Sequence, residues 1–306
     1  MGENFVAGWF GGCAGIAVGH PFDTVKVRLQ TQSFGGPQYR GLFHCFHSII
    51  KQESVFGLYK GMLSPLLGVA AINSILFGVY GGVMDYFHAH SLNPSHSTYL
   101  CQVGVAGASA GFLQSFILSP TDLVKTRLQM QGRGQKASKE LYRSPLDCIY
   151  KIYHREGIRR GVFRGQGITL LREVPSFGIY FVWYDIMSQF IANTFQPSNR
   201  FRAVSAIVSG GTTGMLCWLS TYPFDVVKSR IQADGIDGKH TRYNGIIDCF
   251  RKSYREEGLA VFGRGLLSCL IRAFPVNAAT FLVVELVLWM NNSALDKRPS
   301  KANEIV

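Results

Sequence analysis

The chain has 306 residues, 47% of them hydrophobic and only 16% charged, yet it carries a formal charge of +12. A positive mean hydropathy of +0.12 beside so few charges excludes a disordered chain or a coiled coil and argues against an ordinary soluble enzyme, where about 25% of residues are charged. Seven cysteines with no CxxC pair argue against a disulfide scaffold and a structural zinc site, so reduced thiols, no metal and no cofactor are expected.

Six stretches read as membrane spans. The first, Phe5 to Phe22, ends in His20-Pro21, and the opening MGENFVAGWF runs into it without a signal or transit pattern, so this span is expected in the mature protein. No Lys, Arg, Asp or Glu lies between Lys60 and Asp85, from Ala89 to Thr121, or from Ala203 to Phe224. Each of these can cross about 30 Å of hydrocarbon as a helix. Val174 to Tyr184 follows Arg172-Glu173, and Ala273 to Met290 contains Glu285. Charges kept at such depth are expected to face water or one another, which predicts a polar cavity inside the bundle. The basic excess clusters around residues 26 to 60, 125 to 165 and 228 to 272, after each odd-numbered span. That placement fits anionic head groups or solutes and not nucleic acid.

Comparing the chain with itself reveals three copies of one unit. PFDTVKVRLQ (Pro21 to Gln30) returns as PTDLVKTRLQ (Pro120 to Gln129) and PFDVVKSRIQ (Pro223 to Gln232), at spacings of 99 and 103 residues. Cys45, Cys148 and Cys249 recur downstream, then Glu53, Glu156-Gly157 and Glu257-Gly258, then Lys60-Gly61, Arg164-Gly165 and Arg264-Gly265. Each unit reads as span, Pro-x-Asp kink, basic segment, loop, short helix, Lys/Arg-Gly and second span. Asp, the Lys three on and the Gln seven on share one helix face. Three such faces about a pseudo-threefold axis converge at one mouth of the cavity, where the Asp of one repeat meets the Lys of another. The three cysteines are expected to be small packing residues, since no His or acid recurs with them at ligand spacing.

The triple PxDxxKxRxQ motif and repeats of about 100 residues resemble the mitochondrial carrier family. The resemblance covers residues 4 to about 292, and GHPFDTVKVRLQ, LLREVPSFGIYF, STYPFDVVKSRIQADG and IRAFPVNAATF are similar to its carnitine/acylcarnitine and basic-amino-acid branch. It implies an all-α membrane protein of the inner mitochondrial membrane: six transmembrane helices in three pseudo-threefold-related repeats, with three short matrix-side helices. The repeats divide as 1–92, 97–196 and 200–293, leaving 294–306 as a tail.

By position, the family implies a matrix gate of Asp23 with Lys125, Asp122 with Lys228 and Asp225 with Lys26, braced by Gln30, Gln129 and Gln232. Its second charge network, on the cytoplasmic side, is incomplete here: Asp185 is followed by Gln189 and Glu285 by Leu288 where bases are expected. A weak cytoplasmic gate, and uniport beside antiport, are the consequence. Backbone at Gly61, Gly165 and Gly265 is implied to bind membrane lipid, cardiolipin. Seven residues past these glycines lie Gly68, Arg172 and Arg272, followed by Val69, Glu173 and Ala273, and twelve past them lie Asn73, Phe177 and Asn277. In the family these positions contact substrate. An arginine fork grips a carboxylate while an adjacent carboxylate receives an ammonium, which suits a small zwitterion. Cationic amino acids such as arginine, lysine or ornithine are the leading substrates, and carnitine or acylcarnitine the alternative. Carnitine, with one quaternary cation and one carboxylate, matches a site whose single mid-membrane acid is Glu173. An uncoupling-type proton or anion leak on the same fold is a lesser alternative. No Ser-His-Asp set, metal-ligand cluster or Walker loop points to an enzyme. Three repeats already close one cavity, so a monomer is the expected unit.

Overall fold

The computed structural model describes residues 2–32, 39–90, 95–131, 142–194, 199–235 and 241–296. Residues 297–306 of the expected tail lie outside that set. Among the described residues the secondary structure is helical, without strands. Six long helices, α1 (Gly2–Thr31), α3 (Leu63–His90), α4 (His96–Met130), α6 (Gln166–Thr194), α7 (Asn199–Ala233) and α9 (Leu266–Asp296), alternate with three short ones, α2 (Leu42–Glu53), α5 (Pro145–Gly157) and α8 (Ile246–Glu257). Among the described residues three segments are long and apolar enough to cross a membrane on that ground alone: Val55–His90, His96–Met130 and Leu259–Val284. Of the other long helices, α1 and α7 mix apolar runs with the motif charges, and α6 carries Arg172, Glu173 and Asp185.

Each motif proline, Pro21, Pro120 and Pro223, sits inside its helix, and the helix continues through it to the Gln of the motif. The short helices bury a stripe one turn apart: Leu42, Cys45 and Ile49 in α2, Cys148 and Ile152 in α5, Cys249, Ser253 and Glu257 in α8. These stripes pack under the motif segments, as Cys45 against Val25 and Leu29, and Cys148 against Val124 and Leu128. All three cysteines are fully buried, in keeping with small packing residues. Ser144, where the other repeats have glycine, caps α5 by accepting a hydrogen bond from the Asp147 N–H at 3.1 Å, with Pro145 opening the helix.

The chain reverses into α3, α6 and α9 at Gly61, Gly165 and Gly265, whose φ angles of +83°, +85° and +85° belong to a region that glycine enters without strain. Among the long helices, α1 lies along α9, α3 along α4, α4 along α6 and α6 along α7. By contrast α1 meets α3, and α7 meets α9, over short stretches only. Small residues set the closest approach: a Cβ on Gly107 would come within 2.6 Å of the Phe177 carbonyl, and one on Gly111 within 2.8 Å of the Glu173 carbonyl.

Candidate substrate site and its charge network

At the motif end of the bundle, α1, α4 and α7 exchange three ion pairs. Lys125 Nζ lies 2.6 Å from Asp23, Lys228 Nζ 2.5 Å from Asp122 and Lys26 Nζ 2.5 Å from Asp225. Lys26 also stands 4.4 Å from the Trp218 ring centre, a cation-π contact. The pairs form the floor of a cavity of about 190 Å³ that Arg172 and Arg272 also line. Both arginines reach down to the floor: Arg272 Nε is 3.1 Å from Asp23, and Arg172 Nη1 3.2 Å from Asp225. Arg172 also pairs with the buried Glu173. Sequence spacing put these arginines seven residues past Gly165 and Gly265, near the start of α6 and α9; their length lets one network hold all of them.

The glutamines depart from the expected pattern. Gln30 donates to Asp225 and to the Tyr222 hydroxyl, both at 3.1 Å, and so supports the Lys26–Asp225 pair. Gln129 instead donates to Thr24 at 3.1 Å and meets His20 Nε2 at 3.3 Å, while Gln232 donates to the Ser119 carbonyl at 3.4 Å. The reason is the residue before each motif proline. His20, Ser119 and Tyr222 differ in reach, and each neighbouring glutamine takes the polar group it finds there. Buried His20 bonds the Lys60 carbonyl at 2.9 Å, the place Tyr222 fills by donating to the Arg264 carbonyl at 2.9 Å. His20 is thereby part of the scaffold, outside the lining of the charged cavity.

Beneath the floor lies a second set of ion pairs that sequence spacing did not predict. Arg28 forks onto both oxygens of Glu53 at 2.7 and 2.9 Å, and Arg127 onto Glu156 at 3.0 and 3.3 Å. Arg230 pairs with Glu257 at 2.8 Å. The same glutamates receive Lys60 at 3.1 Å, Arg164 at 3.4 Å and Arg264. Each glutamate therefore joins the motif helix, the short helix and the start of the next long helix. Arginine suits this buried post because its planar fork satisfies a carboxylate in two places. The recurrence of Arg, Glu and Lys/Arg in all three repeats was the signal available in the sequence.

Toward the other end the network thins. Asp185 accepts from Gln189 at 2.6 Å, and Tyr80 stacks on Phe181 at 4.1 Å within an apolar cluster around Met84, Val103 and Ala106. Asn73 is exposed and outside the lining of the charged cavity. Phe177 is half-buried, with Tyr180 and Phe181 as ring neighbours. The side chains of Asn277 and Glu285 lie outside the described residues.

A cavity of about 510 Å³ opens between the start of α2 and the start of α9, lined by Tyr39, Arg40, Gly41, Leu42, Arg264 and Gly265. On the short helices, Lys151 holds the Asp147 carboxyl, and Lys252 that of Asp248, below the usual carboxylate range. Burial pushes the Cys148 thiol up to about 12 and that of Cys249 up to about 11.

Helices around a charge-lined cavity, built from three copies of one motif, make a membrane solute carrier and not an enzyme. The mitochondrial carrier protein family model matches residues 1–91, 97–195 and 199–291, and the chain belongs to that family. It is 54% identical over 289 residues to the mitochondrial basic amino acids transporter of Bos taurus, covering 94% of this chain and 92% of that protein. Its human counterpart of the same name is 53% identical over 288 residues, 94% of this chain and 90% of that one. Solute carrier family 25 member 45 of Mus musculus is 42% identical over 292 residues, 94% of this chain and 98% of that protein.

Proposed function

We propose that this carrier moves cationic amino acids, such as arginine, lysine and ornithine, across the mitochondrial inner membrane by alternating access, in exchange and also as a uniporter. The observation that carries the reading is the pair of arginines, Arg172 and Arg272, over the ion-paired floor, with Glu173 against Arg172. A substrate carboxylate competes with Asp225 and Asp23 for these arginines, and its ammonium competes with Arg172 for Glu173. Binding thereby loosens the floor pairs, which act as the matrix gate. Breaking a buried pair with nothing in its place costs roughly 3–5 kcal/mol, so occupancy of the site and opening are linked. Strong identity with transporters named for basic amino acids supports the substrate class.

The architecture that serves this function is six transmembrane helices in three repeats, 1–92, 97–196 and 200–293, acting as a monomer, with α2, α5 and α8 on the matrix side. Asp185 and Glu285 are what remains of a cytoplasmic gate. Gly61, Gly165 and Gly265 open sites for cardiolipin phosphates. The cavity between Arg40, the first turn of α2 and Gly265 supplies the cations and helix N-terminus that such a phosphate needs.

Carnitine or acylcarnitine is the second reading, favoured by the single acid, Glu173, paired with Arg172. Uptake of labelled arginine and of labelled carnitine into proteoliposomes, with and without internal counter-substrate, decides between the two. Arginine uptake is the expected result, and uptake of carnitine alone overturns the assignment. In the same preparations cardiolipin is expected to raise the melting temperature, and a protein indifferent to it rules out the lipid sites.

A further inference from the structure

The position seven residues past each turn glycine faces the gate carboxylate of the following repeat. Arg172 of the second repeat reaches Asp225 of the third, and Arg272 of the third reaches Asp23 of the first. In the first repeat the position is Gly68. It lies against Thr121, next to Asp122 of the second repeat: a Cβ on Gly68 would stand 3.3 Å from Thr121 Cγ2 and 3.4 Å from its Oγ1. Threefold symmetry therefore places a missing arginine above Asp122.

The three carboxylates differ accordingly. Asp23 has a lysine on one oxygen and Arg272 on the other, and Asp225 a lysine and Arg172. Among the described residues Asp122 has Lys228 alone within ion-pair distance, through Oδ2, while Arg172 attracts it from farther off. Its side chain is 24% exposed, against 14% for Asp23 and 8% for Asp225. It lines the same cavity as Arg172 and Arg272.

We propose that Asp122 is the site for the substrate's side-chain cation: the guanidinium or ammonium of a basic amino acid takes, over Asp122, the place that Arg172 and Arg272 take over Asp225 and Asp23, and Gly68 keeps that place open. The inference rests on the basic-amino-acid reading and supplies the second acid that such a substrate needs besides Glu173. The substrate completes the ring: its α-carboxylate meets the arginines, its α-ammonium Glu173 and its side chain Asp122. A neutral side chain of the same shape leaves the carboxylate without a counter-cation and is disfavoured.

The test is competition in proteoliposomes between arginine and citrulline, its uncharged isostere. The wild type is expected to prefer arginine. Neutralising the whole pair, Asp122→Asn with Lys228→Gln, is expected to lower that preference by ~10- to 100-fold, the scale of a charge-assisted hydrogen bond. Neutralising the symmetry-related pair, Asp23→Asn with Lys125→Gln, is expected to keep it. Equal loss in both variants, or an unchanged preference in the first, overturns the proposal. For variants that do not transport, the shift in melting temperature with arginine against citrulline in detergent gives the same ratio. Gly68→Arg, which fills the vacancy, is expected to melt cooperatively and to lose its arginine-specific shift, and retention of that shift also counts against the site. A wild type that takes up no basic amino acid fails at the first step instead, and removes the substrate reading together with this site.

Discussion

A lysine at position 26, 125 or 228 does what a lysine on a surface helix does not: it sits among α1, α4 and α7 within 2.6 Å of a carboxylate on another repeat. Partial exclusion from bulk water makes each pair strong once formed and expensive to separate unaided, the property required of a latch. Thiols in the short helices follow the same rule in reverse. Burial outweighs the attraction of nearby Arg127 and Arg230 and keeps Cys148 and Cys249 protonated, up to about 12 and about 11. Since the thiolate is the reactive form, a maleimide at pH 8 is expected to leave both unlabelled in the native carrier and to modify them after unfolding. Rapid native labelling, read by peptide mass spectrometry, contradicts their burial. The folded values exceed the ordinary thiol value of 9.0, so the contribution of these thiols to stability is full below about pH 9. It declines as the pH rises toward 11–12, because the unfolded chain ionises first.

Each short helix ends in the same way, with a residue of positive φ after its glutamate. In the second and third repeats that residue is glycine, Gly157 at φ +74° and Gly258 at φ +69°. The first repeat places Ser54 there at φ 67° and ψ 176°, a combination that is almost confined to glycine. Glu53 holds it in place, because its carboxylate is claimed by both Arg28 and Lys60. Ser54→Gly is therefore expected to stabilise the carrier by ~1–2 kcal/mol. Thermal unfolding in detergent measures this as a raised apparent melting temperature with transport unchanged. A lowered melting temperature contradicts the strain at this position.

Across the whole molecule the charges are distributed unevenly. The motif end carries three closed ion pairs with a set of arginine-glutamate pairs beneath them, whereas at the other end Asp185 is held by the neutral Gln189 and Tyr99, without an ion pair among the described residues. On the proposed reading, one strong gate and one weak gate let the empty carrier reorient, because little is lost when the weak gate opens. Unidirectional arginine uptake into vesicles without internal substrate is the expected result, alongside faster exchange. Uptake wholly dependent on counter-substrate argues for a second gate strong enough to require a ligand.

The sequence by itself determined the repeat, the helical framework and which charged types recur, because a motif spaced by three and seven residues can place Asp, Lys and Gln only on one helix face. Cys45, Cys148 and Cys249 were legible as packing residues because no His or acid recurs with them at ligand spacing. Partners across repeats were harder to read where reach mattered. Gln129 and Gln232 share their motif position with Gln30, yet bond elsewhere because His20 and Ser119 stand where Tyr222 does. Glu53, Glu156 and Glu257 recurred visibly, but about 25 to 30 residues from their arginines, too far for spacing to link them. Only the tertiary structure decided that Arg172 and Arg272 extend down to Asp225 and Asp23 and that Gly68 leaves Asp122 without such a cap. Side-chain length and the crossing of helices from different repeats set these contacts, and neither is written in the order of residues along one repeat.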